Sequence, residues 1–135
     1  MTYLRATFVC LIIMSFTTAF AQTSNDQTVY ELRTYTTNDG KLADLNARFK
    51  DHTIKLFNKH GMESIGYWMP VDKENTLIYI IRHKNMNAAK QNWQNFIDDP
   101  DWKIVAEETN RNGAILAVSP ESVFMTATDY SLSML

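Results

Sequence analysis

The chain has 135 residues, with thirteen Lys and Arg against fifteen Asp and Glu, a formal net charge of −2. With no basic run, that balance argues against nucleic acid or an anionic membrane as the main partner. The one cysteine, Cys10, falls in a segment read below as a removable leader. A mature chain without it forms no disulfide and holds no thiolate metal site.

The first residues, Met1 to Arg5, carry one positive charge, and an apolar run from Ala6 to Phe16 leads to Ala19-Phe20-Ala21. That is the pattern of a secretory signal peptide over 1–21 with cleavage after Ala21. The run is too short for the roughly 18 to 20 residues of a membrane span. Export to the periplasm or the medium is therefore expected. Residues 22–27 are polar and expected to be a loose terminus, followed by one domain over 28–131.

Within that domain, Thr28 to Thr36 is β-branched, aromatic and alternating, a strand. Its apolar face carries Tyr30, Leu32 and Thr34, and its mixed face Val29, Glu31, Arg33 and Tyr35. Thr37 to Gly40 reads as a turn supplying helix-capping oxygens. Leu42, Leu45, Phe49, Ile54, Leu56 and Phe57 then mark an amphipathic helix to about His60, closed by Gly61. His52 lies on or beside its apolar stripe, as a core-edge histidine or as a pocket residue. Met62 to Met69 forms a second strand stopped by Pro70, and Thr76 to Arg82, apolar on both faces, a central third.

Asn85 caps a helix striped by Ala89, Trp93, Phe96 and Ile97, which ends at Asp98-Asp99-Pro100. Asp101 can cap a short further helix to about Asn110, closed by Gly113. Ala114 to Val118 and Ser122 to Met125 read as a last strand interrupted near Pro120, with an irregular tail from Thr126. The order β-α-β-β-α-(α)-β predicts an α+β, ferredoxin-like fold: a four-stranded antiparallel sheet with helices on one face. On this reading the uncovered face carries Arg33 and Tyr35, and a homodimer packs sheet to sheet through it.

Several motifs in order resemble the NIPSNAP family. They are Tyr30-Glu31-Leu32-Arg33-Thr34-Tyr35, Gly40-Lys41, Lys59-His60-Gly61-Met62 with Gly66-Tyr67-Trp68, then Trp93 with Phe96, Asp99-Pro100-Asp101-Trp102 and Thr128-Asp129-Tyr130-Ser131. The resemblance spans Val29 to Ser131 and implies the dimeric α+β barrel fold, without a settled activity. Animal members are mitochondrial and linked to vesicular transport or mitophagy signalling, roles that a secretory leader disfavours here. Asn38-Asp39 stands where the family often has proline, which touches loop stiffness rather than chemistry.

No P-loop, G-x-G-x-x-G, G-x-S-x-G or H-E-x-x-H motif is present. His52, His60 and His83 lack ligand spacing, so neither metal nor cofactor is implied. The candidate ligand site gathers Glu31, Arg33 and Tyr35 with Trp68 or Tyr67, and Tyr79 from the third strand. An arginine among rings binds a small organic anion, with the rings holding its apolar body. Alternatively, Glu31 and Arg33 pair across the sheet or the dimer seam and fix its register. The Asp99 to Trp102 corner reads as a helix cap and core anchor. Three functions fit this reading: a small-molecule-binding module, a monooxygenase- or isomerase-like enzyme using His52 or Tyr35 for protons, and a non-catalytic interaction protein.

Overall fold

The structure, a computed structural model, describes residues 27–132. The expected signal peptide lies outside the described residues, among which no helix is long and apolar enough to cross a membrane. Four strands form one antiparallel sheet in the order β2-β3-β1-β4: β1 Val29–Thr36, β2 Glu63–Trp68, β3 Thr76–His83 and β4 Glu121–Met125. This is the ferredoxin-like α+β arrangement expected from the element order. Helices cover one face: α1 Leu42–Arg48, a π-helical turn Phe49–Thr53 and α2 Ile54–Lys59 in one continuous run, then α3 Met86–Asp98 and α4 Pro100–Asn110.

The element ends follow local chemistry. Asn85 Oδ1 accepts the Ala88 N–H at 2.8 Å and starts α3. Asp99, rather than Asp101, caps α4: it accepts the Asp101 N–H at 2.9 Å, with Pro100 in the first turn. No side chain caps α1. Asn38 is diverted to the Ala114 and Leu116 carbonyls, and Asp39 Oδ1 accepts from Asn75. Gly61 stands at φ +70° and ends the long helical run, as its lack of a Cβ allows. The segment 114–118 contributes only an isolated bridge, Thr37 to Leu116, so the last strand is β4 alone.

The long helix differs from expectation in its middle. The step of five residues from Phe49 to Ile54 is one too many for an α-helical stripe, and the π turn absorbs it. Thr53, buried there, donates its hydroxyl to the Arg48 carbonyl at 3.2 Å. Phe49, Leu56 and Phe57 thus all reach the core, beside Leu45, Tyr35, Tyr79, Ile81 and Phe96.

The orientation of the sheet corrects the expectation. On β1, Val29, Glu31 and Tyr35 are buried, whereas Tyr30, Leu32 and Thr34 are only half-buried. The mixed face is therefore the one under the helices. Its charge does not forbid burial because Glu31, Arg33 and an indole N–H satisfy one another there. The open face is the apolar one, with Leu32 beside Ile80 and Val123, and Trp68 beside Ile78.

Candidate functional site

A cavity of about 480 Å³ lies between the covered sheet face and the helices, within the usual range of roughly 300–1,000 Å³ for small-molecule sites. β1 supplies Arg33 and Tyr35, α1 supplies Arg48, and α3 and α4 supply Trp93, Phe96 and Trp102. Each arginine lies against a tryptophan. The Arg33 guanidinium carbon is 4.6 Å from the Trp93 ring centre, and that of Arg48 is 5.4 Å from Trp102.

Glu31, 1% exposed, builds one end of the site. One carboxylate oxygen accepts from Arg33 Nη1 at 3.0 Å and Ser122 Oγ at 2.6 Å. The other accepts Trp93 Nε1–H at 2.6 Å and lies 3.0 Å from His83 Nε2. Burial alone would raise its pKa, but these hydrogen bonds and the Arg33 charge hold it down at about 2. With its acceptor positions taken, Glu31 is a fixed anion that orients Arg33 and Trp93. It has no capacity left for use as a general base.

The two arginines differ in kind. Arg33 is neutralised by Glu31 and donates to the Tyr35 hydroxyl at 3.5 Å, a long contact. Burial opposes its charge, but Tyr35, Tyr79 and Glu31 outweigh that and raise its pKa. Arg48 is 5% exposed, forms no ion pair among the described residues, and its Nε has no hydrogen-bond partner. Burial pulls its pKa down from the ordinary arginine value. A buried guanidinium without a carboxylate is costly to the fold.

A family model for NIPSNAP matches residues 30–132. The chain belongs to the NIPSNAP family. Solved structures of this fold include a NIPSNAP family protein of unknown function from Agrobacterium tumefaciens, 20% identical, covering 80% of this chain and 95% of that one at a TM-score of 0.68. A NIPSNAP-like domain protein from Burkholderia xenovorans is 13% identical, covering 79% and 90% at 0.69. The cofactor-independent oxygenase SnoaB from Streptomyces nogalater is 16% identical, covering 79% and 98% at 0.55. No curated protein matches the chain in sequence.

This NIPSNAP domain gathers only part of the expected constellation. Glu31, Arg33 and Tyr35 meet, on the helix-covered face rather than the open one. Tyr79 joins them but is wholly buried behind Tyr35, ring centres 5.3 Å apart, and does not line the cavity. Among the described residues its hydroxyl has no hydrogen bond of good geometry, although Tyr35 and Arg33 lie beside it, and burial raises its pKa well above the ordinary phenol value. Trp68 lies on the open face, 51% exposed, because strand alternation puts Tyr67 rather than Trp68 beside Tyr79. His52 is exposed on the outer side of the π turn, lining surface grooves and not the cavity.

Arg48 was not anticipated. Polar by type, it is not counted in an apolar stripe, although its spacing of three from Leu45 places it beside the buried face of α1. His83, one residue beyond the predicted end of β3, is fully buried against Glu31. The Asp99 to Trp102 corner divides: Asp99 caps α4, whereas Trp102 lines the cavity. His60 Nε2 lies 2.6 Å from Asp99 Oδ2 and Lys59 Nζ 2.8 Å, tying the end of α2 to the start of α4.

Proposed function

We propose that this NIPSNAP protein is an exported homodimer that binds a small organic anion in the cavity between sheet and helices. The observation that carries the reading is Arg48: a buried cation, without a carboxylate partner among the described residues, facing an aromatic-lined cavity. The fold offers its charge the Trp102 ring but no carboxylate among the described residues, whereas an anion arriving there would complete its hydrogen bonds. No acid and no histidine line the cavity among the described residues, so Tyr35 is the group left for proton transfer. That favours binding over acid–base catalysis. The monooxygenase- or isomerase-like alternative rests on fold likeness.

Export rests on the leader at 1–21, and the mature protein isolated from its host should begin at Gln22 by mass spectrometry. The homodimer rests on the open face, where Leu32, Ile78, Ile80, Trp68 and Val123 form an apolar surface beside the Arg82–Glu63 ion pair. The occupant of that face is a second copy of the chain.

Native mass spectrometry of the mature protein from its own host tests the binding reading. A reproducible organic adduct on wild type, lost in Arg48→Met with the assembly unchanged, is the expected result. An adduct retained at equal occupancy by Arg48→Met would overturn it.

A further inference from the structure

The charges of the cavity identify the class of its ligand more closely. The inference rests on the binding reading above. Arg33 and Glu31 pair at 3.0 Å and cancel as a unit, so Arg33 presents hydrogen-bond donors but little net charge. No Asp or Glu lines the cavity among the described residues, and no lysine does. His83 stands against Glu31 and does not line it either. One positive charge without an ion-pair partner among the described residues remains in the cavity, that of Arg48, which also borders an outer groove with Lys41, Asp44 and Asp51. An occupant carrying one negative charge balances it, whereas a dianion leaves one negative charge without a cationic partner in the lining.

The walls define the rest of the ligand. Trp93, Phe96 and Trp102 make an aromatic wall, with Phe96 edge-on to Trp93 at 5.6 Å and tilted by 34° to Trp102 at 4.5 Å. The Trp93 ring is held by its bond to Glu31, so this wall is set before any ligand arrives. Ile97, Ala106 and Leu116 add apolar lining. Flat aromatic bodies gain from such a surface beyond area burial alone. We infer that the ligand is an aromatic monocarboxylate, its carboxylate on Arg48 and its ring against the Trp93–Phe96–Trp102 wall.

Isothermal titration calorimetry at pH 8 tests this with four probes: 2-naphthoate, its neutral amide, 2-naphthyl phosphate as the dianion, and octanoate as a flexible monoanion. The expected order puts 2-naphthoate first, at least tenfold tighter than the amide and at least fivefold tighter than naphthyl phosphate and octanoate. In Arg48→Met the preference for naphthoate over the amide should disappear, while Arg48→Lys should retain most of it. Tighter binding of naphthyl phosphate would overturn the monoanion and leave the anion pocket standing. Tighter binding of octanoate would overturn the aromatic body alone. Equal binding of naphthoate and amide to wild type would mean that the Arg48 charge goes unused, which sinks this inference and the anion reading together. Absence of binding by every probe to folded wild type would remove the pocket reading itself.

Discussion

At the scale of single residues, Glu31 is a buried group whose protonation bears directly on the fold. Its pKa is lowered from 4.5 to about 2, so its contribution is fully present above pH 4.5 and is lost as pH falls towards 2. A shift of that size corresponds to about 3 kcal/mol. Glu31→Gln should therefore cost a few kcal/mol at neutral pH and flatten the loss of stability between pH 4.5 and 2, read by urea unfolding across that window. An unchanged pH slope would mean that Glu31 does not organise this end of the site. Tyr79 behaves oppositely. Its hydroxyl is buried without a hydrogen bond of good geometry, so Tyr79→Phe should be neutral or stabilising by up to about 1 kcal/mol. Ligand affinity should stay within twofold, because Tyr79 does not line the cavity.

At the scale of elements, two glycines shape the start and middle of β2. Gly61, at φ +70°, turns the helical run into β2, and a Cβ there would also meet Asn92 Nδ2 at 3.3 Å. Gly61→Ala should cost about 1–2 kcal/mol in chemical denaturation. A loss under a few tenths would contradict the cap. At Gly66 a Cβ would fall 2.6 Å from Trp68 Cη2, so the indole lies directly over the glycine on the open face. The helix stop, the strands and the central place of β3 were legible because local periodicity and glycine carry them. The direction in which β1 faces was not. Its two faces differ by a charge pair, and whether that pair is buried depends on Ser122, His83 and Trp93, which lie 52 to 91 residues away in sequence. Arg48 was hidden for a different reason: it stands three residues after Leu45, on the flank of the buried side of α1, but a charged residue there reads as the solvent edge of the stripe.

At the scale of the whole molecule, the sheet has one covered face and one open apolar face. Sedimentation velocity should find the wild-type protein dimeric and Ile80→Lys monomeric, with helical content retained by circular dichroism. A monomeric wild type would leave the open face without its proposed occupant. The covered face holds the central claim, that Arg48 serves a ligand rather than the fold. Thermal unfolding of ligand-free Arg48→Met beside wild type tests that most directly. A buried charge without a partner is replaced by a side chain of similar length that packs without desolvation cost. The account expects a melting temperature equal to or above that of wild type. A fall of more than about 4 °C, on the order of 1 kcal/mol for a domain of this size, would make Arg48 a structural residue and contradict the account.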